Sequence, residues 1–228
     1  MQNRGNTPLI PVLTKNDWRL LYKPARFGCY VNDHTIIRSH IDGSWHLFGI
    51  TRQEAEICPA KERYFTHAVG KTLNEPCGFK ELGIVCDNGT PAWSPYIVFD
   101  GDRYYMFYGP SPIKMATSDE LIEWRENRIE LRNCPLDAAH RDPTLLRVNN
   151  KWLMYVVGAR KGKGLISVFE SNDLIAWDFI RIALALEGEN IINVPWGALE
   201  SPSVINIGSY YYMFITYTDS EISTYHNT

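Results

Sequence analysis

The chain of 228 residues has no long hydrophobic run, no cluster of basic residues and no regular pattern of cysteines. No stretch approaches the roughly 20 apolar residues that a helix needs to span a bilayer. Residues 1–8 also lack the apolar segment of a secretory signal. We therefore expect no membrane partner and a cytoplasmic protein by default, while a secreted or periplasmic location stays open.

The lack of basic clusters and of metal-binding motifs also reduces the number of possible partners and cofactors. The net charge is −3 without a Lys/Arg-rich run, so the electrostatic footprint of a nucleic-acid-binding protein is missing. The five cysteines contain no Cys-x-x-Cys pair, and no dense Asp/Asn spacing indicates a calcium loop. We predict no nucleic-acid partner, no metal at the functional site and no cofactor; a structural calcium ion would be an addition that no motif supports.

Long amphipathic stretches are also missing, although 45% of the residues are hydrophobic and can form a substantial core. From Cys29 onward, short apolar or alternating runs are interrupted by Gly, Asn, Asp and Pro at close intervals. This pattern predicts an all-β fold. Residues 1–26 carry three prolines among scattered apolar residues and predict an irregular N-terminal strap.

One hairpin pattern occurs four times, each time as a strand, a short turn and an aromatic-rich strand. The copies begin at Asn32-Asp33-His34, Trp93-Ser94-Pro95, Arg141-Asp142-Pro143 and Glu200-Ser201-Pro202. The matched positions are separated by 61, 48 and 59 residues, which is about the length of one four-stranded propeller blade. We predict blades near 27–80, 90–132, 138–183 and 196–228.

The second half of each copy predicts the outer strands. Residues 113–124 and 166–177 share a strand, a Ser-x-Asp-type turn and a final tryptophan, which we expect to pack between neighbouring blades. Residues 65–70 and 224–228 predict the third strands of the first and fourth blades. The pattern has no fifth copy, so we expect a truncated propeller whose open edge favours self-association.

In a propeller, the first strand of every blade lines the central channel, so one register of all copies meets at one mouth. Asp33, Asp142 and Glu200 are therefore predicted to converge. Hydrolysis of a glycosidic bond needs one carboxylic acid to protonate the leaving oxygen and one carboxylate to attack carbon or activate water. The alternatives are three solvated loop acids or a metal site.

Three further residues are candidates for sugar contacts. Trp93 begins a channel strand and Trp196 precedes Glu200 by four residues, so either indole ring could stack on a sugar or pack in the core. His34 follows Asp33 and could contact a sugar or satisfy the turn.

These motifs resemble the five-bladed β-propeller glycoside hydrolases of families 43 and 32, with relatives in families 62, 68 and 117. Asn32-Asp33 and Arg141-Asp142-Pro143 match the Asn-Asp and Arg-Asp-Pro motifs of family 32. Glu200-Ser201-Pro202 is similar to its Glu-Cys-Pro, and Trp93-Ser94-Pro95 is similar to the Trp-Ala-Pro of family 43. His34 departs from family 32, which continues Asn-Asp-Pro-Asn-Gly, and Ser201 replaces the family 32 cysteine.

The resemblance implies an all-β fold of the five-bladed propeller type, with about four blades in this chain. It also implies that Asp33 is the nucleophile or general base, that Glu200 is the general acid and that Asp142 stabilises the transition state. Arg141 beside Asp142 would bind sugar hydroxyls, and the remaining substrate contacts would come from Asn32, His34, Trp93, Ser94 and Trp196.

The predicted function is therefore hydrolysis of a terminal furanosyl or pentosyl residue from an oligosaccharide or polysaccharide. Arabinofuranosides, xylosides and fructosides are the candidate substrates. Two alternatives remain at this point: a carbohydrate-binding propeller or inactive fragment without turnover, and a phosphorylase similar to the mannoside phosphorylases, which would need basic residues for phosphate.

Overall fold

The computed structural model describes residues 18–25, 29–52, 62–186, 198–218 and 225–227. Within these ranges the chain forms sixteen β-strands and no α-helix, which confirms the predicted all-β fold. No helix in the described part of the chain is long and apolar enough to span a membrane.

The strands form four sheets; consecutive strands pair antiparallel in all of them, and the third sheet also contains one parallel strand. The first sheet contains β1 (Asn32–Arg38), β2 (Trp45–Ile50), β3 (Phe65–Gly70) and β4 (Lys80–Val85). The second contains β5 (Trp93–Phe99), β6 (Tyr104–Gly109), β7 (Lys114–Ser118) and β8 (Arg125–Asn127). These two sheets are blades one and two, and the third strand predicted for blade one has the predicted bounds.

The third sheet has five strands. It contains β10 (Ala138–Val148), β11 (Lys151–Arg160), β12 (Lys163–Ser171), β13 (Ala176–Ala185) and the earlier strand β9 (Glu130–Arg132). Strand β9 pairs in parallel with β13, so residues 130–132, which the repeat pattern assigned to blade two, belong to the sheet of blade three. The partly buried Leu131 packs against the core beside Trp177, which holds this short strand in place.

The fourth sheet contains β14 (Leu199–Ile207), β15 (Tyr210–Thr218) and β16 (Tyr225–Asn227). Strand β16 pairs with the end of β15, where the third strand of blade four was predicted. The N-terminal strap is described only at residues 18–25; there Tyr22 is buried and its hydroxyl lies 2.7 Å from Thr66 Oγ1. The rest of the strap lies outside the described residues.

Tryptophans connect adjacent blades, as predicted from the second half of the repeat. The ring of Trp124, next to β8, meets Phe48 of blade one edge-on at 5.5 Å between centroids. Trp177 of blade three meets Phe107 of blade two in the same way at 5.7 Å and is fully buried. Such edge-to-face pairs add to the stabilisation that comes from the buried apolar area. The two tryptophans therefore pack across the boundaries between neighbouring blades.

Candidate active site

Three of the four inner strands are distorted at the same position of the repeat. Ser94, Asp142 and Ser201 each precede a proline and have left-handed backbone angles, with φ of 49°, 51° and 50°. The pairing with the neighbouring strand shifts register at each of these places, and blade one shifts between Asn32 and His34. Positive φ is uncommon outside glycine, and a bulge redirects the side chains beside it. The repeat thus turns matched residues of four blades toward one region.

The hydroxyl group of Ser94 connects two of the predicted acids. Its Oγ lies 2.7 Å from Asp33 Oδ2 and 2.7 Å from Asp142 Oδ1. Asp142 is buried and Asp33 is half-buried. Ser94 was predicted as a substrate contact, whereas the structure places it between the carboxyl groups of blades one and three.

Arg141 connects Asp142 to the third acid. Its Nη1 lies 3.2 Å from Asp142 Oδ2, and its Nη2 lies 3.1 Å from Glu200 Oε1. Nη2 also donates to the carbonyl oxygen of Leu199 at 2.8 Å. The Arg141 side chain is only 10% exposed. Because both terminal nitrogens of its guanidinium group contact protein oxygens, Arg141 organises the acids of this site rather than facing a sugar.

A cavity of about 490 Å³ opens at this cluster. Its lining includes the predicted residues Asn32, Asp33, His34, Ser94 and Asp142. Asn32 and His34 are exposed, so both are available to a ligand. The cavity is therefore lined by two carboxyl groups, those of Asp33 and Asp142, and is large enough for a sugar residue.

Trp93 and Trp196 were predicted as candidates for stacking on a sugar, and only Trp93 lies within the described residues. Trp93 is partly buried against the core shared by blades one and two and is not among the described residues that line the cavity. Its Nε1 is buried and finds no hydrogen-bond partner in the described part of the chain. Trp196 lies outside the described residues.

The surroundings of Asp33 and Glu200 change how readily they ionise. Burial raises the pKa of Asp33, the negative charge of Asp142 raises it further, and contacts with Ser94 and Arg141 oppose the rise. Burial also raises the pKa of Glu200 although Arg141 pulls it down. Acids with raised pKa values can hold a proton near neutral pH, as a general acid must.

Sequence reasoning missed two supporting elements of the site. The backbone N–H of Ser201 donates to Asp142 Oδ2 at 2.8 Å, and a backbone donor leaves no mark in the residue type. Gly109, at the end of β6, lies so close to blade three that a Cβ there would be 2.9 Å from the Cα of Arg141. Its position at the end of an inner hairpin was the available signal.

No group of three or more His, Cys, Asp or Glu side chains among the described residues is arranged to hold a metal ion. Asp33, Asp142 and Glu200 are instead linked by Ser94, Arg141 and a backbone amide. The arrangement suits proton transfer between carboxyl groups beside an open cavity.

Most of the chain matches a glycoside hydrolase family model. Residues 39–227 match the family model described as glycosyl hydrolases family 32 N-terminal domain. The match includes Asp142 and Glu200 and begins six residues after Asp33. No curated protein sequence shows significant similarity to the chain.

Several solved structures have the same fold. A mutant β-fructofuranosidase of family 32 from Bombyx mori, solved with sucrose, is 16% identical with a TM-score of 0.65; the alignment covers 86% of this chain and 45% of that one. Sucrose-6-phosphate hydrolase from Lactobacillus gasseri is 19% identical with a TM-score of 0.66, covering 86% and 43%. Fructan 1-exohydrolase IIa from Cichorium intybus is 16% identical with a TM-score of 0.65, covering 92% and 43%.

These neighbours confirm the propeller fold. The alignments span less than half the length of each of the three proteins.

Proposed function

This chain belongs to glycosyl hydrolase family 32, and we propose that it acts as a glycosidase that removes a terminal fructofuranosyl residue from an oligosaccharide or polysaccharide. The observation that carries the proposal is the linkage of Asp33, Asp142 and Glu200 through Ser94 and Arg141 beside one cavity. A binding site alone has no need for two acids with raised pKa values, as Asp33 and Glu200 have here.

The choice of a fructofuranosyl group rests on the family. The family model is that of family 32, and three structural neighbours are a β-fructofuranosidase, a sucrose-6-phosphate hydrolase and a fructan exohydrolase. Arabinofuranosides and xylosides remain the comparison substrates, because a family 43 enzyme is also among the neighbours. Asn32 and His34 are exposed on the cavity wall and are the proposed contacts to the sugar hydroxyls.

The division of labour is carried over from the glycoside hydrolase families whose motifs Asp33, Asp142 and Glu200 match. Glu200 gives its proton to the leaving oxygen while the bond from that oxygen to the anomeric carbon breaks. In a retaining reaction Asp33 attacks the anomeric carbon, and water then releases the sugar; in an inverting reaction Asp33 takes a proton from the attacking water. Asp142, fixed by Arg141 and the Ser201 amide, orients the sugar.

A second function, sugar binding without turnover, is favoured by one observation. Arg141 lies 3.1 Å from Glu200 Oε1, and an ion pair at that distance favours the ionised carboxylate over the protonated acid. Phosphorolysis receives no such support, because none of the described residues that line the cavity is Lys or Arg and Arg141 is already paired.

The test is a hydrolysis assay with sucrose, short fructans, and aryl arabinofuranosides and xylosides. We expect fructose release that falls by about 100-fold or more in Asp33→Asn and in Glu200→Gln. Asp102→Asn and Glu123→Gln make the same chemical changes at exposed positions and should leave the rate unchanged. Binding of sucrose or a fructan without release of any sugar would instead identify a binding module.

A further inference from the structure

The contacts of Ser94 are unusual in the number of protons they require. A serine hydroxyl has one hydrogen, yet Oγ lies 2.7 Å from an oxygen of each of two carboxyl groups. That distance is typical of an O–H···O hydrogen bond. If both carboxyl groups were ionised, one carboxylate oxygen would face a lone pair of Oγ at hydrogen-bond distance. Both short contacts are hydrogen bonds only when one of the two carboxyl groups is protonated, so that it donates to Oγ while the serine hydroxyl donates to the other.

The other contacts of Asp142 decide which carboxyl group that is. Its Oδ2 accepts the backbone N–H of Ser201 at 2.8 Å and lies 3.2 Å from Arg141 Nη1. Donors and a guanidinium charge favour the ionised form of a carboxyl group. Asp142 is thus the carboxylate, its Oδ1 accepts the Ser94 hydroxyl, and Asp33 holds the proton that it donates to Ser94 Oγ.

The charged groups around Asp33 agree with this assignment. Arg141, on β10, forms its ion pairs with Asp142 and Glu200; its charge lowers the pKa of Asp33, while the negative charge of Asp142, also on β10, raises it. His34 is the neighbour of Asp33 on β1 and lies on the exposed cavity wall. Burial and the Asp142 charge both raise the pKa of Asp33, whereas a hydrogen bond that Ser94 donates to Asp33 lowers it; in the relay Asp33 is the donor and Ser94 the acceptor, so that this contact favours the protonated form instead.

We propose that Asp33, Ser94 and Asp142 form a proton relay that stores one carboxyl proton, with Ser94 as a positioning residue for the reaction proposed above. The role of the relay in catalysis rests on that proposed function, whereas the stored proton is a property of the free protein.

The relay can ionise Asp33 without exchange with solvent. The proton of Asp33 Oδ2 moves to Ser94 Oγ while the hydroxyl proton of Ser94 moves to Asp142 Oδ1. Two O–H bonds break and two form, so charge and atoms balance, and the result is an Asp33 carboxylate beside a neutral Asp142. Asp33 is then free to attack carbon or to take a proton from water.

Carbon-13 NMR of the chain with labelled aspartate carboxyl groups tests the stored proton without any substrate, and Asp33→Asn identifies the signal. We expect Asp33 to stay protonated at pH values where the exposed aspartates are already ionised. In Ser94→Ala its titration midpoint should fall by about one pH unit, because the protonated state loses the hydrogen bond that Asp33 donates. In Ser201→Ala, whose backbone amide is retained, the midpoint should stay where it is.

A rise in the titration midpoint of Asp33 in Ser94→Ala would refute the relay. If Ser94 simply donates to an ionised Asp33, its removal raises the midpoint of Asp33. Ser94→Gly repeats the test with a residue that readily adopts the positive φ of this position. A wild-type Asp33 that ionises together with the exposed aspartates would also refute the proposal. Loss of sugar hydrolysis in every assay, with the titration as expected, would count against the proposed function and not against the stored proton.

Discussion

Arg141 Nη2 lies 3.1 Å from Glu200 Oε1 while Nη1 of the same guanidinium group lies 3.2 Å from Asp142 Oδ2. One cation therefore bridges acids of blades three and four. Burial raises the pKa of Glu200, and the Arg141 charge opposes that rise. The Arg141 contact thus limits how far burial raises the pKa of Glu200.

Replacing Arg141 by Gln should move the pH dependence of hydrolysis. Without the cation the pKa of Glu200 rises further, and a general acid works only while protonated. The alkaline limb of kcat/KM should therefore move to higher pH. The variant should also lose about 3 kcal/mol of folding free energy, because two carboxyl groups lose their partner in a largely buried site. Activity profiles and thermal unfolding measure the two effects.

Arg132→Gln is the matched control for this prediction. Arg132 forms an exposed pair with Glu130 at 2.8 Å, and exposed pairs contribute little. The melting temperature and the pH profile of this variant should match the wild type. An unchanged alkaline limb in Arg141→Gln would show that Glu200 does not supply the proton.

Glu200→Gln and Asp33→Asn should respond differently to the leaving group. A substrate with a good aryl leaving group needs no proton from Glu200. With such a substrate, the rate of the first chemical step in Glu200→Gln should therefore recover most of its wild-type value. Asp33→Asn should stay inactive with both kinds of substrate, because it lacks the group that acts at the anomeric carbon. Single-turnover release of the aryl alcohol measures this step. Equal rescue of the two variants would contradict the division of roles.

Much of the fold was predictable because a propeller repeats its local signals. Alternation, turns and aromatic runs recur in each copy, so the inner hairpins and the tryptophans between blades follow from the pattern. Strand β9 was not predictable in this way. Its three residues carry no periodic signal, and their place beside β13 depends on packing of Leu131 in the core next to Trp177.

The acids of the site were predictable from their register, whereas the contacts between them were not. The positions of Asp33 and Asp142 follow from the repeat, and the structure links them through Ser94. That Arg141 pairs with Glu200 instead of facing the cavity depends on the bulge and the left-handed φ at Asp142. Such backbone distortions arise from tertiary packing, so residue type alone does not reveal them.

Two buried histidines should make blade one sensitive to acid. His46 Nδ1 lies 2.8 Å from His67 Nε2, and the His67 ring stacks on Phe48 with centroids 4.3 Å apart. Burial, aided by His46, lowers the pKa of His67 from 6.5 to about 3. The native state therefore keeps His67 neutral while the unfolded state takes up a proton. The contribution of His67 to the free energy of unfolding is fully present above pH 6.5 and is lost as the pH drops toward 3.

Urea unfolding across this pH range measures the effect. His67→Gln keeps a polar side chain but removes the titration, so its stability should depend less on pH than that of the wild type. His34→Gln changes an exposed histidine and should keep the wild-type slope. The same slope in His67→Gln as in the wild type would show that other groups cause the acid sensitivity.

Trp177 should stabilise the fold and, through it, the geometry of the site. Its ring is fully buried, meets Phe107 of blade two at 90°, and its Nε1 donates to the Leu174 carbonyl oxygen at 3.1 Å. Trp177→Ala should cost about 3 to 5 kcal/mol in chemical unfolding because it leaves a large cavity. Trp18→Ala, at a ring that is 91% exposed, should change stability by about 0.5 kcal/mol or less.

The smaller change Trp177→Phe separates stability from site geometry. Ser94 belongs to blade two and Asp142 to blade three, and their 2.7 Å contact crosses the interface that Trp177 fills. A looser interface should disturb that contact while Asn32 and His34 on blade one stay in place. We therefore expect kcat to fall more than KM rises, because small displacements of reacting groups cost rate more than binding. Unchanged kcat in a measurably destabilised Trp177→Phe variant would show that the inner strands hold the acids without help from the outer blade contacts.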